Sequence, residues 1–118
     1  MKTGLIITTI NKANTNLKNL DKLSHANKWN FIVIGDAKTP SNFKLKHGDY
    51  YELSMQKKLN FKFSKICPIS NYARKNIGYL ILAKNNNQII VETDDDNYPK
   101  KNFFKQRSLI HKALEIKN

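Results

Sequence analysis

Leu5-Ile6-Ile7-Thr8-Thr9-Ile10 carries an apolar or β-branched side chain at every position. A strand with one wet face alternates apolar and polar residues, whereas an unbroken run belongs to a parallel sheet covered on both sides. Trp29-Asn30-Phe31-Ile32-Val33-Ile34 repeats the pattern except at Asn30 and is stopped by Gly35-Asp36. Between the two runs, Asn14 or Thr15 can cap a helix with Leu17, Leu20 and Leu23 on one stripe, ending near His25-Ala26-Asn27. Strand, helix, strand in this spacing is the unit from which parallel sheets are built.

Further along, residues 36–48 hold Pro40 and Gly48 and read as loop. Tyr50-Tyr51-Glu52-Leu53 is expected as a short third strand, and Ser54 as the cap of a helix with Met55 and Leu59 on one face. Asn71 opens the next helix, with Arg74 and Lys75 in its first turn and Ala73, Ile77, Leu80, Ile81 and Leu82 as apolar positions. Asn85-Asn86-Asn87 is a turn, Gln88-Ile89-Ile90-Val91-Glu92 a fourth strand, and Asp94 to Pro99 a loop at its carboxyl end. From Asn102, Phe103, Arg107, Ile110 and Leu114 recur at helical spacing, which predicts a closing amphipathic helix. The order β-α-β-β-α-α-β-α predicts an α/β fold: a three-layer α/β/α sandwich around a mostly parallel sheet, with residues 1–118 as one domain.

The chain of 118 residues has a net charge of +12. All of its 21 basic residues except Arg74 and Arg107 are Lys, spread along the chain rather than gathered into an arm. Such a charge attracts polyanions, phosphates included, although a solvated lysine surface accounts for much of it. The longest apolar runs fall far short of the ~20 residues of a membrane span. Met1-Lys2-Thr3-Gly4 leads straight into a strand, with no signal-peptide pattern, so the expected address is cytoplasmic. Cys67 is alone, which excludes an intramolecular disulfide and a cysteine metal cluster, and it reads as a small core hydrophobe.

In parallel sheets ligands sit beyond the carboxyl ends of the strands, where Thr8-Thr9, Asp36 and Asp94-Asp95-Asp96 all fall. Three adjacent carboxylates raise one another's pKa, so a positive partner is needed. A hard divalent cation with oxygen ligands, Mg²⁺ or Mn²⁺, fits best, and nucleotide phosphates would fill its open positions. The plainer alternative is a solvated acidic turn paired with nearby Lys. Arg74 and Lys75 at a helix start favour an anion, and a guanidinium adds a planar fork for phosphate; the alternative is a surface cation beside the acidic edge. Asp36 is placed to take a hydrogen bond from a base or ribose, or else to turn its own loop. The three His have no ligand spacing, and Ser54, Ser64 and Ser70 lack the Gly-flanked elbow of a hydrolase. No phosphate-binding Gly-rich loop is present.

Three ordered segments resemble a known family: residues 29–40, residues 72–80, and Glu92-Thr93-Asp94-Asp95-Asp96-Asn97-Tyr98-Pro99. They look like the STELLO-type glycosyltransferases, and the last is also similar to the Asp-Asp-Asp-Asn loop of GT-A glucuronyltransferases. The resemblance covers about residues 3–100. It implies a Rossmann-like GT-A fold that binds a nucleotide diphosphate sugar, most often a UDP-sugar. The family's Asp-x-Asp (DXD) role would fall on Asp94, Asp95 and Asp96, with Asp96 as the main metal ligand and an earlier carboxylate touching ribose. By the same likeness Thr8 or Thr9 and Asp36 would line the nucleoside pocket, and Arg74, with Lys75 beside it, would approach the diphosphate.

GT-A enzymes continue for about as long again after this loop, supplying the acceptor site. The leading expectation is therefore a metal-dependent glycosyltransferase or its donor-binding part, truncated relative to a full enzyme and inactive alone toward an unknown acceptor. A homodimer or a second polypeptide is expected to complete the domain, because an open apolar patch tends to become an interface. The alternatives are a nucleotide-sugar-binding module without transfer activity and a basic nucleic-acid-binding protein. No recognisable nucleic-acid motif supports the last, so no specific nucleic acid is expected.

Overall fold

The computed structural model describes residues 2–95, 99 and 103–104. Strand β1 (Thr3–Thr9) leads to helix α1 (Thr15–Ala26), β2 (Asn30–Gly35) and the short β3 (Asp49–Tyr51). Helices α2 (Leu53–Lys58) and α3 (Lys62–Ile66) follow, then a 3₁₀ turn (Tyr72–Arg74) running into α4 (Lys75–Lys84), and finally β4 (Ile89–Glu92). The four strands form one sheet in the order β3-β2-β1-β4, and every pair is parallel.

The alternation of side chains along β1 and β2 supplies both cores. Leu5, Ile7, Phe31 and Val33 point to one face and pack with Leu17 and Leu20 of α1 and with Phe43. Ile6, Ile32 and Ile34 point to the other, against Ile77, Ile81 and Leu82 of α4 and against Cys67. The chain is thus an α/β protein in three layers, a Rossmann-like arrangement around a parallel sheet. Gly78 sets the distance of α4 from the sheet. A Cβ there would collide with Cδ1 and Cγ1 of Ile6, so only glycine lets the helix settle so close.

Asn14 caps α1, its side chain accepting from Leu17 N at 2.8 Å. The helix closes through Lys28, whose φ of 61° turns the chain so that Trp29 N donates to Ser24 O at 2.8 Å.

Several expected boundaries move. The third strand is Asp49–Tyr51, and Leu53 already belongs to α2. Glu52 occupies the cap position of α2, while Ser54 lies inside the helix and donates to Glu52 Oε1 at 2.7 Å. Met55, expected to share one face with Leu59, is 43% exposed, and Leu59 lies at the helix's end; the buried residue of the helix is Gln56. Helix α3 was not expected as a separate element. Asn71 does cap a helical start, its side chain accepting from Ala73 N, but the first turn is 3₁₀ and the α-helix begins at Lys75. The expected closing helix from Asn102 lies outside the described residues. None of the described helices is long and apolar enough to cross a membrane.

Candidate functional site

A cleft of about 630 Å³ opens at the carboxyl edge of the sheet. Its lining includes Thr8, Thr9, Asp36, Arg74, Asp94 and Asp95, so the structure brings together most of the positions singled out from the sequence. Two of the expected residues are not in that set. Lys75 is not among the cleft's lining residues, and Asp96 lies outside the described residues.

Asp95 sits in a cradle of neutral donors. Thr9 Oγ1 donates to its Oδ2 at 2.6 Å and Asn11 Nδ2 to the same oxygen at 3.1 Å. Asn14 Nδ2 and Asn16 Nδ2 donate to its backbone oxygen at 3.3 and 3.0 Å. Sequence reasoning missed this role of the asparagines, although three amides at positions 11, 14 and 16, directly after a strand end, are a set of donors waiting for an acceptor. Among the described residues, the hydrogen bonds to the Asp95 carboxylate fall on Oδ2.

Asp36 latches two loops together. Its Oδ1 accepts from Ala37 N and from Ser70 N, each at 2.7 Å, and its Oδ2 accepts from Asn71 N at 3.2 Å. Ser70 is held at φ 54°, a left-handed conformation that costs a non-glycine residue free energy and persists where the surroundings impose it. Thr39 ties the first of these loops to the end of β1, accepting from Asp36 N at 2.8 Å and donating to Thr9 O at 2.5 Å.

Arg74, expected as an exposed fork, is 1% exposed. Its Nε and Nη2 donate to Gln56 Oε1 at 2.9 and 2.6 Å, and its Nη1 donates to Cys67 O and Pro68 O at 3.0 and 3.3 Å. Gln56 in turn donates from Nε2 to Gly35 O and Tyr51 O, both at 2.8 Å. Burial pushes the Cys67 thiol pKa up, the Arg74 charge opposes that rise, and Asp36 adds to it.

Lys75 lies between two carboxylates, 3.7 Å from Asp94 Oδ1 and 3.8 Å from Glu92 Oε2. Tyr79 donates its hydroxyl to Glu92 Oε2, and burial, that hydrogen bond and the Glu92 charge together push its pKa up to about 12. Among the described residues no three His, Cys, Asp or Glu side chains converge as a metal site. Asp94 and Asp95 do share the cleft wall, and Tyr72 stands 91% exposed at its rim.

No family model matches the chain. Over 91 residues, 76% of its length, it is 30% identical to "Probable glycosyltransferase STELLO2" of Arabidopsis thaliana, and over the same share it is 29% identical to "Probable glycosyltransferase STELLO1" of that organism. These matches span only 12% and 11% of the two proteins. The likeness is distant and is confined to that small part of the two proteins.

Proposed function

We propose that this chain is the donor-binding part of a glycosyltransferase and that its cleft takes a nucleotide diphosphate sugar of the UDP type. The observation that carries the reading is the meeting of Thr8, Thr9, Asp36, Asp94 and Asp95 in one cleft at the carboxyl edge of an all-parallel sheet. The likeness to probable glycosyltransferases points the same way.

Asp94 and Asp95, with Asp96 after them, would hold a Mn²⁺ or Mg²⁺ ion. The donor set suits it: hard carboxylate oxygens, with the Asp95 carboxylate oriented by Thr9 and Asn11 through Oδ2. When bound, such an ion neutralises a diphosphate and so favours its departure as a leaving group. The protein's own part is orientation. Asp36 and the Ser70–Asn71 backbone fix one wall of the cleft, and the asparagine cradle fixes the other.

Isothermal calorimetry with UDP and a UDP-sugar, with Mn²⁺ and then with excess chelator, tests the reading. Binding is expected with the metal and is expected to fall sharply without it. Equal affinity in both conditions would remove the metal from the proposal, and no binding in either would remove the donor site.

A further inference from the structure

Gln56 and Arg74 form a buried pair in which a neutral amide partners a permanent cation. Gln56 is 0% exposed and Arg74 1% exposed. A guanidinium stays charged when buried, where a lysine would shed its proton. A charge taken out of water is ordinarily met by a carboxylate. Here, among the described residues, no carboxylate is within ion-pair distance of Arg74, and its hydrogen bonds go to an amide and two backbone carbonyls. Those bonds engage all three guanidinium nitrogens and leave the unit charge uncancelled. Asp36, which lines the same cleft, directs its oxygens to the backbone of residues 37, 70 and 71.

We infer that Gln56, by being an amide and not a carboxylate, leaves the buried Arg74 electrically uncancelled, so that the cleft lining carries a fixed positive charge that draws the anionic part of the ligand without touching it. The inference rests on the donor reading above. Arg74 lines the cleft, yet its guanidinium is already bonded to protein acceptors, so it acts through its field rather than as a two-pronged contact. Both charges reach the Cys67 thiol, where Arg74 opposes the rise that burial causes and Asp36, to a smaller extent, adds to it. In a low-dielectric wall such a charge is weakly screened and focused into the cleft. Gln56 also bonds the carbonyls of Gly35 and Tyr51, so it is a positioning residue for the β2 end as well.

The experiment compares UDP with uridine, both with Mn²⁺ present, by calorimetry at low salt. Gln56→Glu places a carboxylate against Arg74 and cancels the charge. It is expected to weaken UDP about tenfold at low salt while leaving uridine unchanged. Arg74→Met combined with Gln56→Leu removes the cation without adding an anion and is expected to give the same selective loss. Gln56→Met breaks the hydrogen bonds but keeps the charge, so the UDP-to-uridine affinity ratio should match the wild type even as the melting temperature falls. Melting curves show which variants are folded. A wild-type chain that binds neither probe overturns the donor reading and this inference with it. If the wild type binds UDP and the two charge-cancelling variants keep its ratio, this inference alone is overturned. It is overturned equally if either variant loses both probes in equal proportion, because Gln56 and Arg74 would then be a structural tie only.

Discussion

The Thr9 hydroxyl donates a 2.6 Å hydrogen bond to Asp95 Oδ2, joining the end of β1 to the loop after its neighbour β4. The same hydroxyl accepts from Asn11 N at 3.1 Å, so one side chain both ends the strand and orients a carboxylate. Thr9 is itself buried. Replacing it by Val keeps the shape and deletes both bonds, and the expected loss of stability is about 1–2 kcal/mol, read from urea unfolding. Thr9→Ser is expected to recover most of that loss. Metal-dependent binding should follow the same order, with Val weakest.

Asp36→Asn tests the latch. With its oxygen in the place of Oδ1 an amide can still accept from Ala37 N and Ser70 N, but the amide nitrogen that replaces Oδ2 opposes Asn71 N. The expected cost is about 1–3 kcal/mol. Hydrogen exchange localises it: the amide of Asn71 should exchange much faster while those of β1 hold. Unchanged protection at Asn71 would mean that its end of the latch is kept by something other than Asp36.

The close seat of α4 can be tested by making it too tight. Gly78→Ala is expected to cost about 1–3 kcal/mol through its collision with Ile6. Ile6→Val removes the Cδ1 atom that is in the way and on its own costs about 0.5–1.5 kcal/mol. Because one change makes room for the other, the double variant should be more stable than the sum of the two single losses predicts. Simple additivity in thermal or chemical unfolding would remove Ile6 as the residue that requires glycine.

Tyr79 predicts an alkaline limb in stability. Its hydroxyl titrates at about 12 in the folded chain against an ordinary tyrosine value of 10.0, so the folded state keeps a proton that the unfolded state gives up between those values. Stability from this group is complete below pH 10 and is lost as pH rises through 12. Burial raises Tyr50 and Tyr51 as well, so absorbance titration of phenolate should show several late-ionising tyrosines, one of which Tyr79→Phe removes, and the same substitution should flatten that part of the pH–stability curve.

Much of this architecture is legible in the chain itself, and the reason is physical. A strand buried on both faces has no choice but to be apolar throughout, so β1 and β2 stand out, and Asn14 announces α1 because a cap needs a short acceptor side chain. Short elements carry no such imprint. Helix α3 has only Lys62–Ile66, and α2 turns inward on Gln56, a residue that polarity alone places outside. Arg74 shows the same limit within the site. At a helix start it looks like a free cation, and only partners far along the chain, Gln56 and the carbonyls of residues 67 and 68, bury it. The cleft-lining positions Thr8, Thr9, Asp36, Asp94 and Asp95 were legible because the carboxyl ends of parallel strands are fixed once the strands are found.

The sheet order β3-β2-β1-β4 has a consequence for synthesis on the ribosome. Strands β1, β2 and β3 come from the first 51 residues and can pair as soon as they leave the exit tunnel. The remaining edge of β1 meets its neighbour only when Ile89–Glu92 emerges, and until then its backbone groups are open to any extended peptide nearby. The cradle around Asp95 closes last of all, after both flanks exist. A nascent chain stalled before β4 should therefore be a preferred client of holdase chaperones, and release from them should coincide with the addition of that final strand.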